Sequence, residues 1–247
     1  MHPVDPDAAA ATSENVPGCS AGSGEPSELD LVTRAIVDCD RCPRLVRWRK
    51  DAAATRPRAF ADDAYWARPV PGFGDPNARL YALGMATAAH GGNRTGRAFT
   101  GNSSATWLMA ALYRAGLANQ AGSTHRGDGL KLHEVWMGSA VRCPPPKNRP
   151  TATERASCLP HLRAELDVLP ELRVVMTLGQ FAWRCAVDLL ADRPFSKFAH
   201  GAECQARDGL TILASYHPSP QNTNTGRLTA AMLDDVLRRG RELANIP

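Results

Sequence analysis

Four cysteines in two widely separated pairs constrain this chain more than any other feature. Cys39 and Cys42 form a C-x2-C, and Cys143 and Cys158 follow about a hundred residues later with fourteen residues between them. If the four thiolates converge, they can ligate a metal ion or an iron–sulfur cluster. That convergence would tie the N-terminal region to the middle of the chain. A zinc ribbon more often repeats the C-x2-C, yet the spacing favours neither zinc nor a cluster, and four unrelated buried thiols is the bland alternative. Cys19, Cys185 and Cys204 are left over, and the last two are expected to be small buried hydrophobes. Seven cysteines with no secretory signal argue for a cytoplasmic protein that uses its thiols as ligands instead of disulfides.

The 247 residues suit one large α/β domain, and no apolar run approaches a membrane span. Residues 1–30 carry six acids and no Lys or Arg, which leaves 29 bases against 19 acids in the remainder, a net of +10. A basic body beside an acidic tail is a frequent footprint of nucleic-acid binding, and also of nothing more than ordinary excess charge. Residues 1–26 are rich in Ala, Ser, Gly, Pro and acids without apolar period, and are expected to be a disordered acidic tail ahead of a single domain over 27–247.

Ser27 and Asp30 form a capping box for a helix over Leu29–Val37, which delivers Cys39 and Cys42. Residues 51–78 read as irregular. Four short apolar runs, Arg79–Met85, Val135–Val141, Arg173–Leu178 and Thr211–Ser215, read as buried parallel strands. Helical patterns follow them over Ala105–Ala115, Arg155–Leu169, Gln180–Leu190 and Arg227–Leu243. Pro160 is expected to break or restart the second of these, and Leu228, Met232, Val236 and Leu243 to form the apolar stripe of the last. The pattern predicts a parallel sheet of four strands with helices on both faces, and such sheets bind ligands outside their carboxyl ends.

Two loops leave strands at that edge. The first, from Gly84 to Asn102, interleaves five glycines with Asn93, Arg94, Thr95, Arg97 and Thr100. Its glycines permit close backbone approach, Arg94 and Arg97 can meet phosphate, and Phe99 can stack on a base. It is neither a dinucleotide fingerprint nor a P-loop, since G-x-G-x-x-G and G-K-[ST] are absent. The second begins at His217, which ends a strand and can donate a hydrogen bond to a developing anion. Ser219, Gln221 and Asn222 after it can grip a nucleic-acid backbone. Solvated arginines and a structural histidine are the bland readings of the two loops.

Taken together, CDRCPRL at Cys39–Leu45, GMATAAHGGNRTGRAFTG at Gly84–Gly101, AVRCPPPKNRPT at Ala140–Thr151, TLGQFAW at Thr177–Trp183 and YHPSPQNTNTGRLT at Tyr216–Thr229 resemble the type-5 uracil-DNA glycosylases. The resemblance spans roughly residues 36–243, and its specificity lies in the joint occurrence of the motifs. It implies a three-layer α/β/α fold and a [4Fe–4S] cluster on Cys39, Cys42, Cys143 and Cys158. It also implies removal of uracil, and of other deaminated bases, from DNA, by a chain expected to act as a monomer without a membrane. In the implied reaction Phe99 stacks on the base in a pocket with Gly84 and Ala86 and His217 stabilises the leaving base, while Ser139, by its place near the strand edge, could touch the base. Ala86 agrees with the group. Thr87 replaces a usual proline, and Asn102 stands where the group usually has the aspartate best placed to position water. Asn102 can orient water but cannot be an anionic base, so the resemblance leaves open a slow enzyme or a DNA-binding protein without catalysis. A zinc-stapled nucleic-acid module and an unrelated hydrolase are weaker alternatives, the latter lacking G-x-S-x-G.

Overall fold

A computed structural model describes residues 25–191 and 197–247. The expected acidic tail over 1–26 lies, apart from its last two residues, outside the described residues.

Four parallel strands form the centre of the sheet: β2 (Leu80–Ala86), β3 (Val135–Val141), β4 (Val174–Leu178) and β6 (Thr211–Ser215). They are apolar and buried along nearly their whole length, as strands covered on both faces must be. Among the described residues the sheet has six strands, two more than the expected four. β1 (Phe73–Gly74) adds antiparallel to β3, and β5 (Glu203–Gln205) adds antiparallel to β6. Edge strands of two and three residues are too short to carry a period-2 signal. The order is β1-β3-β2-β4-β6-β5.

One face of the sheet is covered by α4 (Ser103–Arg114) and α8 (Ala230–Ala244), through Leu108, Met109, Leu112, Leu233, Val236 and Leu237. The other is covered by α5 (Ala152–Asp167) and α6 (Gln180–Leu190), through Leu162, Leu166, Ala182, Trp183, Ala186 and Leu190. The α1 helix (Glu28–Val37) starts at the Ser27–Asp30 capping box and packs on α5. Gly240 lets α8 settle on the sheet, since a Cβ there would lie 2.8 Å from Leu80 Cδ1.

Three local expectations are corrected. Pro160 lies inside an unbroken α5. The burial of Cys158, His161, Leu162, Glu165 and Leu166 around it outweighs the roughly 3 kcal/mol cost of an interior proline. The buried stripe of α8 is Leu233, Val236, Leu237, Gly240 and Ala244; Leu228 is buried ahead of the helix, and Met232 and Leu243 only border the core. A further helix, α2 (Pro43–Ala54), runs into the stretch read as irregular, with Pro43 at its first position. Its buried residues are Leu45, Arg49 and Ala52, and an arginine in the stripe hides the apolar period.

Because α4 leads from β2 to β3 on one face while α6 leads away from β4 on the other, the order of connections reverses between β2 and β4. The carboxyl ends of these two neighbours are therefore the position where such sheets form a crevice for ligands.

Candidate active site

The loop after β2 forms one wall of the crevice. It contains a single helical turn, α3 (Gly92–Thr95), closed by Gly96 at φ 73°. Phe99 sits at φ 48°, with its ring laid against Gly84: a Cβ on Gly84 would lie 2.6 Å from Phe99 Cζ. Glycine is therefore required for the ring to reach the strand end. Gly84 pairs in register with the buried Ser139 of β3, and the half-buried Ala86 pairs with Val141. Gly84, Ala86 and Ser139 lie toward the carboxyl ends of two adjacent strands, and Phe99 reaches them from the loop.

The two arginines of this loop turn inward, which corrects their expected role. Arg97 is 6% exposed, 2.7 Å from Asp128, and bonded to Ser123 and Thr100. Despite its burial, Asp128 is held well below the usual carboxylate range by Arg97 and by the backbone N–H groups of Thr124 and Leu130. Arg94 pairs with Asp63, donates to the His90 carbonyl at 2.8 Å and stacks on Phe60. Both guanidiniums hold the loop in shape and have little left to offer a phosphate.

Asn102 caps α4: its Oδ1 accepts from Ala105 N at 2.9 Å. Its amide nitrogen lies where a Cβ on Gly91 would come within 2.5 Å. Thr87, in place of a proline, donates its N–H to the Val141 carbonyl and its hydroxyl to the Arg142 carbonyl at 2.9 Å. A proline could make neither bond.

The opposite wall is the loop after β6. His217 lies two residues past Ser215, with its Cβ 3.2 Å from the position of a Cβ on Gly179. Gly179 adopts φ 94° and ψ 164°, a conformation almost confined to glycine, and caps α6 after β4. Sequence reasoning did not single out Gly179, although the motif around it was legible. The His217 carbonyl accepts from Ser219 N and from Asn222 Nδ2, both at 2.8 Å. Asn222 thus uses one amide N–H to brace the loop. Ser219 is half-buried and Gln221 exposed. Burial pushes the His217 imidazole down to about 4, so it is neutral at pH 7. A neutral imidazole still has one ring N–H to donate.

The four cysteines come together. Cys39 and Cys42 sit between α1 and α2, Cys143 follows β3, and Cys158 lies on α5. All four line one small cavity with Leu45, Arg49, Val141 and His161. None is in a disulfide, and burial raises the Cys42 and Cys158 thiols and pushes Cys143 up to about 12. Among the described residues, no three His, Cys, Asp or Glu side chains form a ready-made site for a metal ion. The thiols form walls around a shared space, and their chemistry suits a sulfur-ligated group. Of the leftover cysteines, Cys185 is buried as expected, whereas Cys204 is only half-buried on edge strand β5.

A cavity of about 820 Å³ lies elsewhere, between Ser27, Phe73, Asn77, Arg126, Trp136 and Pro170. It runs along edge strand β1 and also touches Gly96 and Arg97, and His217 is not among its lining residues. The carboxyl-end crevice is the stronger candidate because strand-end side chains converge there. No helix among the described residues is long and apolar enough to cross a membrane.

Residues 71–239 match the family model of the uracil DNA glycosylase superfamily. The chain is similar to curated proteins named type-5 uracil-DNA glycosylase. It is 46% identical over 230 residues to that of Mycobacterium leprae, covering 92% of this chain and 99% of the relative. It is 46% identical over 220 residues to that of Thermus thermophilus, covering 89% and 100%. It is 49% identical over 210 residues to that of Pyrobaculum aerophilum, covering 85% and 90%.

Proposed function

This chain belongs to the uracil-DNA glycosylase superfamily, and we infer that it hydrolyses the bond between uracil and deoxyribose in DNA. Other deaminated bases are further candidate substrates, because Ala86 adds no polar group that would restrict the pocket to one base edge. The observation that carries the reading is His217: a neutral imidazole at the carboxyl end of the sheet, with its backbone clamped by Ser219 and Asn222.

The target atom of a base is inaccessible within a duplex, so the nucleotide is extruded into the crevice. Phe99, fixed over Gly84, serves as the face on which the base stacks. As the glycosidic bond lengthens, positive charge develops on the sugar and negative charge on the departing base. The His217 N–H donates to that growing anion, and a neutral donor avoids first having to protonate a desolvated ring. Water then adds to the sugar carbon, oriented by the Asn102 amide, whose oxygen is engaged in the α4 cap, and its proton passes to the departed base anion. Asparagine leaves no anionic base at this position, and the dissociative bond cleavage tolerates its absence at reduced rate.

With Arg94 and Arg97 engaged internally, phosphate contact falls to exposed cations around the same edge. These are Arg47 and Lys50 on α2, Lys147 and Arg149 after β3, and Arg227 after β6, together with Ser219 and Gln221. The four cysteines would hold a [4Fe–4S] cluster, which supplies a covalent staple between α1–α2, β3 and α5. Hydrolysis transfers no net electrons, so the cluster would act here as a structural tie. The protein is read as a monomeric domain over 27–247.

A single-turnover excision assay on uracil-containing single- and double-stranded DNA tests this function, run on the wild type and on His217→Ala. Abasic sites produced by the wild type and a loss of at least about a hundredfold in His217→Ala are expected. DNA left intact by anaerobically purified wild type, but cleaved by Asn102→Asp, would identify a chain that has lost catalysis. A brown protein with the absorbance of an iron–sulfur chromophore separates the cluster from zinc.

A further inference from the structure

Three arginines are buried among the described residues: Arg49, Arg97 and Arg142. Arg97 faces Asp128 at 2.7 Å, and Arg142 faces Glu165 at 2.8 Å. Arg49 faces no carboxylate. Its Nη1 donates to Cys143 Sγ at 3.2 Å and to the Cys39 carbonyl at 3.3 Å, and its Nε has no partner. A guanidinium does not give up its proton in a protein, so a buried one requires a counter-charge. Glu154, the carboxylate close enough to act on the Cys42 thiol, is already engaged by Arg44 through two contacts of 2.7 Å.

A second orphan faces the same space from the other wall. His161 lies three residues beyond Cys158 on α5, is 5% exposed, and lines the cavity of the four cysteines. Its Nε2 is buried without a partner. Buried polar atoms are almost always satisfied, so two unsatisfied nitrogens converging on one sulfur-lined cavity mark an acceptor that belongs there. Four thiolates around an iron–sulfur core form a net anion with sulfur acceptors, which meets both requirements.

We propose that Arg49 and His161 donate to the sulfur atoms of the cluster, and that they set its reduction potential and its hold on iron. This rests on the cluster reading above. Arg49 supplies fixed positive charge from α2, and His161 supplies a neutral N–H from α5. Positive charge and N–H donors beside a cluster stabilise the more negative, reduced state, so removing either makes reduction harder. Such outer partners are also part of what retains the metal. Arg49 extends the consequence to the base pocket, because its carbonyl accepts from Asn93 Nδ2 at 3.2 Å in the loop that carries Phe99.

The test uses anaerobically purified, full-length wild type, Arg49→Met, Arg49→Lys and His161→Phe. Iron content, the midpoint potential by spectroelectrochemistry and the rate of iron loss to a chelator are measured. Arg49→Met and His161→Phe are expected to shift the midpoint to more negative values and to lose iron about 10- to 100-fold faster. Arg49→Lys, which keeps the charge, is expected to recover most of the potential. Cluster-loaded Arg49→Met and His161→Phe with wild-type potential and iron loss would overturn the proposal while leaving the cluster reading intact. An iron-free wild type would overturn both. Should Arg49→Met not fold, Arg49→Gln, which removes the charge at similar size, and His161→Phe decide: wild-type potential and iron loss in both cluster-loaded variants refute the assignment.

Discussion

Gly179→Ala separates the geometry of the crevice from the stability of the fold. Gly179 sits at φ 94° and ψ 164°, a region that costs a residue with a side chain about 1–3 kcal/mol. The added methyl would stand 3.2 Å from His217 Cβ, so His217 must give by a few tenths of an ångström. A displacement of about 1 Å in a catalytic group costs roughly a hundredfold in rate, so a shift of this size predicts a loss of about three- to tenfold. The internal control is Gly116→Ala. Gly116 is also left-handed, at φ 72°, but a Cβ there meets nothing within 4 Å and the residue follows α4, far from the crevice. It should lose about 1–2 kcal/mol. Each kcal/mol corresponds to about 2–4 °C in a chain of this size. Thermal melts and single-turnover uracil excision on both variants provide the readout. Gly179→Ala should lose both stability and rate, and Gly116→Ala stability alone. Equal loss of rate in the two variants, or full rate in Gly179→Ala, would refute the claim that Gly179 fixes His217.

Asn102→Asp should raise the excision rate while leaving stability within about 0.5 kcal/mol, because Asp and Asn cap helices equally well; a slower Asn102→Asp would remove the water-positioning role. The His217 imidazole should titrate near 4 by NMR, since burial favours its neutral form, and activity should show no limb near the ordinary histidine value. A folded-state pKa below the unfolded one means that this stabilisation is complete above about 6.5 and disappears as the pH falls toward 4. Glu165→Gln should cost about 3–5 kcal/mol in urea unfolding, because it leaves Arg142, 1% exposed like its partner, without a counter-charge. Replacing Arg47 and Lys50 by Ala should reduce the slope of log affinity against log salt by about 2 if each meets one phosphate, and an unchanged slope would move the DNA path away from α2.

Much of the scaffold was legible in one dimension. β3, β6 and α6 begin and end where the sequence places them, because buried strands and amphipathic helices carry their own apolar period. The ends of the other long elements shift by one to three residues, where caps compete with pattern. The short edge strands and α2 were not legible: the former are too short for a period, and the latter buries Arg49 within its stripe. The site followed the same division. Residue type alone marked His217, Phe99 and the cysteines as capable of chemistry, and position after a strand placed them at the carboxyl edge.

Residue type could not say which way a side chain turns. Arg94 and Arg97 look like phosphate ligands in the sequence, yet Asp63 and Asp128, each 31 residues along the chain from its arginine, claim them. Asn222 turns back to His217, and Gly179 becomes part of the site only because β4 and β6 lie side by side. The order of apolar and polar residues along the chain therefore determined the layers and the edge that holds the crevice, since burial is decided by local pattern. Partner choice among the charged groups, and the cavity that gathers the four sulfurs with Arg49 and His161, came only with the fold, because a counter-charge is set by distance in space, which separation along the chain does not record.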